Sequence, residues 1–526
     1  MRHTPTLAGM VANHAAKKPD ETAIICADTK LSWSDYHILS TRLAGVLLAS
    51  DLSGGDTVAV LLPDGLALHV SLLALEKAGL VAMGIGPRAG RLEIEHLLRV
   101  SGSSALISFD MHMEMHTSKL VDDLRESGLP LNSHFCLAEG FDHFKLRLND
   151  EPVVVPPATP ELAATIATRS MSGSELYFLN STSGTTGMPK CVAHTQQRWI
   201  EYHKLVMQSA PLTEADIFLS AIPGIFGFGL WTSRFTPTIL GCATVILPKF
   251  SADALIRALA RHRVTVMAAV STQFIMMLNS PLRDELDLSS LRILYTGGEA
   301  VPYERAAEFE SLTGAYVLQF YGSNETGALS FTSVADTREK RLTTAGRLIP
   351  GMNVRLVNDS GEDVTALGIG QPACKGAVNS LGYFNNEEAQ QQLFTPDGWM
   401  LTGDIASLDA DGYLTITGRV ADFIIRGGKN ISGPAVEQAV AKHPSVDLAA
   451  AVGMPDPVFG ERVCVYVELK DDATLELMEL VEFMQHAGYS REYFPEHLVV
   501  MDELPIASGG KVAKHILRED IRRRVV

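Results

Sequence analysis

The chain has 526 residues, 46% of them apolar and 20% charged, and carries a formal net charge of −17. This is too long for one ordinary domain, has the apolar-to-charged balance of a soluble globular protein, and its acidic excess argues against a basic face for nucleic acid or an anionic membrane. Six scattered cysteines without a CxxC pair argue against a disulfide or zinc framework, and Met1 to Lys18 shows no signal-peptide core, so a cytoplasmic location is expected.

In chain order, Leu31-Ser32-Trp33-Ser34-Asp35 offers a cap before an apolar-periodic helix through Leu48. Residues 57–62 read as a strand stopped by Pro63, 67–78 as a helix and 104–108 as another short strand. The Val- and Pro-rich run 151–160 reads as an extended connector, and Leu176-Tyr177-Phe178-Leu179 as a buried strand. Further buried strands are expected over 264–270, 291–296 and 316–320, then a β-rich stretch over 413–417. Strands alternating with helical patterns predict parallel α/β layers. The expected fold class is α/β: a large multi-layer N-terminal domain, 1–420, with parallel or mixed sheets and a β-rich end, and a small α+β C-terminal domain, 421–526. The latter opens with a strand and glycine turn (423–428), followed by a helix from near Pro434 and strands near 448–452 and 463–469.

Three loops carry the chemistry. Ser181-Thr182-Ser183-Gly184-Thr185-Thr186-Gly187-Met188-Pro189-Lys190 follows the 176–179 strand. Its glycines permit φ > 0 and converging N–H groups, and its hydroxyls and lysine add donors and charge, which suits a phosphate. It lacks the Gly-Lys-Ser/Thr of a Walker A loop. Gly297-Gly298-Glu299-Ala300-Val301-Pro302 and Tyr321-Gly322-Ser323-Asn324-Glu325-Thr326 follow two of the other strands. Ligands of parallel sheets gather beyond the carboxyl ends of strands, so one shared cleft is expected.

The serine- and threonine-rich loop resembles the phosphate loop of the adenylate-forming superfamily, which includes acyl- and aryl-CoA synthetases, peptide-synthetase adenylation domains and luciferases. Ordered resemblances run from Leu31 to Leu517. The resemblance implies that Ser181, Thr182, Ser183, Gly184, Thr185, Thr186, Gly187 and Lys190 wrap the triphosphate of ATP. Tyr321 to Glu325 resembles the family's Tyr-Gly-x-Thr-Glu; Glu325 would hold Mg2+ on the ATP phosphates, Tyr321 would lie beside the acyl and adenine sites, and Gly322 and Asn324 would belong to the nucleotide site, Asn324 touching the phosphates. Gly298, Glu299 and Ala300 resemble the adenine turn. Asp404, in Thr402-Gly403-Asp404, matches the aspartate that accepts both ribose hydroxyls, and Arg419 the arginine that holds ribose and phosphate. Gly427, Gly428 and Lys429 resemble the loop lining the pantetheine tunnel. Lys511, after Leu504-Pro505-Ile506-Ala507, matches the lysine that stabilises charge during adenylation.

His194 falls where CoA-forming members carry a histidine, and equally suits a packed imidazole. Pro223 to Trp231 resembles the acid-pocket segment. Gly227 stands where amino-acid-activating relatives place an aspartate, and a buried ammonium without a partner is costly. Phe226, Gly227 and Phe228, with Gly297, therefore suit a bulky apolar acid: aryl, cyclic or fatty.

The implied activity is that of an AMP-forming acid–thiol ligase, an acyl-CoA synthetase using ATP/AMP, Mg2+ and coenzyme A. Its partners would be a small-molecule carboxylic acid and CoA, with neither nucleic acid nor membrane. The small domain would be mobile, turning about a hinge at Ala421 between the two half-reactions. Ala421 replaces the usual Asp or Lys, Asn324 the usual Thr, Ala507 another Thr, and Gly370-Gln371-Pro372 the commoner Gly-Glu-Leu. Four alternatives stay open: a thioester-forming variant fed acyl-AMP by a partner enzyme, a carrier-protein loader, a luciferase-like oxygenase, and a non-enzymatic binder of nucleotide or acyl-adenylate.

Overall fold

The computed structural model describes residues 5–138, 145–182, 188–298, 301–358, 360–419, 423–426, 429–487, 489, 491–507 and 512–525. Two large sheets form from short aliphatic strands, several of them buried along their whole length, such as Thr57–Leu61 and Val81–Gly84. A strand covered by helices on both faces has no polar face to show water, which is why these stretches read as continuous apolar runs rather than alternating ones.

In one sheet, Ser133–Leu137, Ala105–Phe109, Thr57–Leu61, Val81–Gly84 and Leu176–Ser181 run parallel in that spatial order. Cys191–Thr195 closes its edge, antiparallel to Leu176–Ser181. In the other, Tyr316–Ser323, Ile293–Gly297, Val266–Ala268, Ile217–Ser220, Ala243–Ile246 and Thr22–Cys26 run parallel. Antiparallel strands Gly327–Phe331 and Thr29–Ser32 flank them, so the sheets are mixed at their edges. One hydrophobic core, from Leu7 to Leu414, includes residues of both sheets. Strand ends from the two sheets are thereby fixed against each other, which is what a site shared between them requires.

Local chemistry sets the helices. Ser32 caps the helix Trp33–Leu48 reciprocally with Asp35, the hydroxyl accepting from the Asp35 N–H and the carboxylate from the Ser32 N–H. The Leu66–Lys77 helix is buried all round. Its Glu76 carboxylate accepts the Ala8 N–H at 2.7 Å, meeting the first turn of the helix Leu7–Lys17 where unpaired N–H groups and the helix dipole favour an anion.

The β-rich end is an antiparallel sheet in the order Met352–Val357, Ile369–Gly376, Asp404–Leu408, Leu414–Arg419. The residues from Phe423 onward have their own sheet, of Lys429–Ser432, Phe423–Arg426, Gly460–Leu469, Val446–Asp456 and His497–Met501. They also have their own apolar clusters, from Ile424 to Ile521. The boundary expected at Ala421 lies outside the described residues.

Three expectations change. The strand expected over 264–270 is confined to Val266–Ala268. The connector 151–160 begins as a two-residue strand, Glu151–Pro152, paired with Leu146–Leu148. The strand expected to end at Phe320 continues through Tyr321, Gly322 and Ser323, paired with Gly327–Phe331. A Cβ at Gly322 would lie 1.9 Å from the Gly327 carbonyl oxygen, so the missing side chain is what permits this pairing. Among the described residues no helix is long and apolar enough to cross a membrane.

Candidate active site

The serine- and threonine-rich segment connects two antiparallel strands, Leu176–Ser181 and Cys191–Thr195. Ser181 lies opposite Cys191 in the antiparallel register, and the Thr182 N–H donates to the Lys190 carbonyl at 2.9 Å, closing the loop at its base. Ser183, Gly184, Thr185, Thr186 and Gly187 lie outside the described residues. The stretch 381–384 docks along the outer hairpin strand: Leu381 N–H donates to Ala193 C=O, Ala193 N–H to Gly382 C=O, and Phe384 N–H to Cys191 C=O. That docking carries Tyr383 between two charged groups. The Lys190 ammonium sits 4.8 Å from the Tyr383 ring centre, and the Tyr383 hydroxyl donates to Glu325 Oε1 at 2.7 Å. Burial and the adjacent Glu325 carboxylate push the Tyr383 pKa far up, so its proton stays on. The Ser380 N–H donates to the Glu325 carbonyl at 2.8 Å, fixing the main chain of the same residue.

Tyr321 joins the β-rich sheet to this group of residues. Its hydroxyl donates to Asp404 Oδ2 at 2.7 Å. Asp404 is 7% exposed and opens the strand Asp404–Leu408, with Arg419 opposite it in the backbone register. Gly403, at φ +75°, makes the turn before it, and its N–H donates to Gln371 Oε1 at 2.9 Å. Gln371 thus has a structural partner where the family pattern has Glu. At the next strand end, a Cβ on Gly297 would lie 2.3 Å from the Phe320 carbonyl oxygen, and Gly298 follows at φ +82°. Glu299, Ala300, Ala421, Gly427, Gly428 and Lys511 lie outside the described residues, as do the side chains of Arg419 and Lys429.

The segment 223–231 is held from behind. Asp64 accepts the Gly224 N–H at 2.9 Å and pairs with buried His69 at 3.1 Å. Phe226 and Phe228 are half-buried against Ile222, Ala268 and Val270, and Phe228 meets Phe320 edge-on at 4.5 Å between ring centres. A π-helical turn, Trp231–Phe235, follows the short helix Gly227–Leu230 and stacks Trp231 on Phe228. Gly227 faces Asn324: a Cβ there would sit 2.2 Å from Asn324 Oδ1. Asn180, the residue before the hairpin loop, donates from Nδ2 to that Oδ1 at 3.1 Å and accepts at its own Oδ1 from His194 Nε2 at 2.8 Å. His194 is fully buried, with its Nδ1 against the Arg198 guanidinium, so both ring nitrogens are used inside the protein. Burial and Arg198 together hold His194 well below the ordinary histidine pKa, as the neutral ring. Arg198 also donates to Val378 C=O at 2.9 Å and Asn324 C=O at 2.8 Å.

The structure therefore brings the hairpin base, Tyr321, Asn324, Glu325, Asp404, His194 and Gly227 into one connected set. It adds Asn180, Arg198 and Tyr383, which the sequence reading left out. Arg198 left one trace there: a charged residue on a helix stretch with Trp199, Ile200 and Tyr202, all of them buried. Among the described residues no three His, Cys, Asp or Glu side chains cluster to hold a metal.

The chain matches the family model for AMP-binding enzymes over residues 11–384 and the model for their C-terminal domain over residues 435–511. It is 28% identical over 522 residues to the medium-chain fatty-acid–CoA ligase of Escherichia coli K12, covering 99% of this chain and 91% of that one. It is 30% identical over 530 residues to the indoleacetate–CoA ligase of Aromatoleum aromaticum, covering 98% of each. Its fold is similar to that of o-succinylbenzoate CoA synthetase from Bacillus subtilis, solved with an acyl-adenylate intermediate, with a TM-score of 0.79 and 25% identity over 97% of both chains. The chain is an enzyme of the AMP-binding family, within the adenylate-forming superfamily.

Proposed function

We propose that the protein joins a bulky apolar carboxylic acid to coenzyme A using ATP, through an acyl-AMP. The observation that carries this reading is the single linkage of hairpin, glutamate and aspartate. Lys190 and Glu325 flank Tyr383, and Asp404 hangs from Tyr321 only four residues before Glu325. A triphosphate on the hairpin would thus lie within reach of both a carboxylate suited to a cation and one suited to ribose.

Ser181, Thr182, Lys190 and the loop 183–187 would bind the triphosphate. Tyr383 donates to Glu325 Oε1, and the Glu325 carboxylate would hold Mg2+, an ion that keeps several waters and takes one or two carboxylates plus phosphate oxygens. A lone Glu325 fits that donor set. The cation would supply charge neutralisation of the phosphates. Asp404 would accept the ribose hydroxyls, while Gly297, Gly298 and the following turn receive adenine. An oxygen of the acid attacks the α-phosphorus and pyrophosphate departs; Lys511 and Arg419 would stabilise the charge that develops. Residues 421–526 would then turn about Ala421 and present Gly427, Gly428 and Lys429, so that the CoA sulfur attacks the acyl carbon and AMP leaves with the bonding pair. Phe226, Phe228, Ile222, Ala268 and Val270 offer the acid an apolar wall, with no carboxylate at Gly227 to pair an ammonium. The two relatives named above, a fatty-acid ligase and an indoleacetate ligase, accord with an apolar acid.

The test is acyl-CoA and AMP formation from ATP, Mg2+, CoA and a panel of aryl, cyclic and fatty acids, repeated with preformed acyl-AMPs. The expected result is thioester in both arms. Thioester from acyl-AMP alone would remove the first half-reaction, and none in either arm would overturn the proposal.

A further inference from the structure

The four side chains behind the acid pocket have a fixed direction. Arginine carries only donors. His194 Nδ1, in contact with the Arg198 guanidinium, must therefore accept, and the neutral ring carries its proton on Nε2. Asn180 receives that proton at Oδ1, which turns its amide so that Nδ2 donates onward to Asn324 Oδ1. Each link is forced by the one before it, so no amide flip is free. Asn324 ends the chain with its oxygen used and its NH2 as the remaining group. Among the described residues that NH2 has no acceptor, and Asn324 is not fully buried.

The place of this end matters. Asn324 lies over Gly227, in the acid-pocket segment, and directly precedes Glu325. Oδ1 is the Asn324 atom that meets Gly227, with Nδ2 the other branch of the same amide, and on the acid-activating reading above the neighbouring Glu325 would put Asn324 by the carboxyl end of the acid rather than its far end. The Arg198 bond to the Asn324 carbonyl fixes the main chain of the same residue. A donor at the end of a polarised chain is strengthened, and it is costly to cover with hydrocarbon.

Resting on the acid-activating reading above, we propose that Asn324 is a specificity-determining residue whose side-chain NH2 donates to an oxygen of the acid close to its carboxyl group. The substrate is then an apolar acid bearing an ether, hydroxyl or oxo oxygen there. A plain hydrocarbon leaves the amide unpaired, and an amine sets donor against donor. Asn180, His194 and Arg198 act as positioning residues that hold the amide in this orientation. The absence of a side chain at Gly227 provides the space in which Asn324 sits.

The test needs no turnover. Sulfamoyl-adenosine conjugates of 3-oxaoctanoate, octanoate and 3-azaoctanoate differ by O, CH2 and NH2+ at one position; those of 2-methoxybenzoate and 2-ethylbenzoate form an aryl pair. Calorimetric dissociation constants are measured on the whole protein. The oxygen member should bind tighter than its carbon partner by about tenfold or more in at least one series, with the ammonium weakest. Asn324→Asp, which exchanges the donor for an acceptor at constant shape, should abolish that preference and favour the ammonium. Asn180→Asp, one link upstream and out of contact with the ligand, should shrink the preference. Affinities within threefold across both series in the wild type, a preference untouched by Asn324→Asp, or no binding by any conjugate would each overturn the inference. Acyl-CoA formation without oxygen preference would discard this inference alone and leave the ligase reading standing.

Discussion

Arg198 and Lys77 are two buried cations of the large domain, 3% and 4% exposed, and neither touches a carboxylate partner directly among the bonds described. Burial lowers both, Arg198 to about 10 and Lys77 to about 7. Their surroundings differ in where the polar chain ends. Lys77 Nζ donates to the His37 carbonyl, Ser40 Oγ and Thr41 Oγ1 at 2.9, 2.8 and 2.9 Å, all on the helix Trp33–Leu48. That network lies between two helices and braces one against the other, with the half-buried His37 ring 3.3 Å from Nζ at its edge and no residue of the candidate site in it. Arg198 reaches the hairpin strand through His194, the glutamate loop through Asn324, and the 378–384 region through Val378. Its chain ends at the half-buried Asn324, against Gly227 of the proposed acid pocket. A depressed pKa therefore does not separate brace from site here, while the terminus of the hydrogen-bond chain does.

The comparison breaks most visibly at Arg198. Arg198→Met leaves the His194 ring and two carbonyls without their donor, each loss costing about 1–3 kcal/mol. We expect kcat/KM for the acid to fall at least about 100-fold, and the unfolding midpoint to drop; unchanged kinetics would erase the distinction drawn above. Asp404→Asn should raise KM for ATP about 10- to 100-fold, the loss expected for a hydrogen bond to a charged group, with a smaller effect on the acid. Gly227→Ala places a Cβ 2.2 Å from Asn324 Oδ1 and should weaken the acid about tenfold while sparing ATP, read from paired KM values.

Lys77→Met sharpens the contrast from the other side. Catalytic constants should stay within about twofold, because the group ends in the core. Stability should respond to pH instead. The Lys77 pKa falls from 10.5 to about 7 on folding, so between those values the unfolded chain binds more protons and wild-type stability rises with pH. The slope is at most about 1.4 kcal/mol per pH unit, falls to about half of that at pH 7 and fades over the next unit or so below it. Urea unfolding at pH 7.5 and 9 should show the slope reduced in Lys77→Met relative to wild type. Equal slopes would mean that the lysine keeps its ordinary pKa.

Elements governed by neighbours in sequence were legible in advance. The Ser32–Asp35 cap, the strand at 57–61 and the helix at 66–77 follow from local pattern, as do the glycine-marked strand ends. Gly227 was noticed for the aspartate it lacks, but its physical contact, Asn324, was not predictable. The two residues stand about a hundred positions apart, and only the parallel sheet brings them together. Tyr383 escaped for the same reason. Nothing near it in sequence announces Glu325, and its position depends on an edge docking onto the hairpin strand. Asn324 was visible as a departure from the family pattern, and its partners Asn180 and Arg198 came only with the fold.

The most direct test of the central claim is acid-dependent exchange of labelled pyrophosphate into ATP, wild type against Glu325→Gln. The hairpin, Glu325 and Asp404 acting as one adenylating site predicts brisk exchange with an apolar acid and a fall of about 100-fold or more in the variant. Exchange absent from the wild type across the acid panel, or equal in the two proteins, would contradict it.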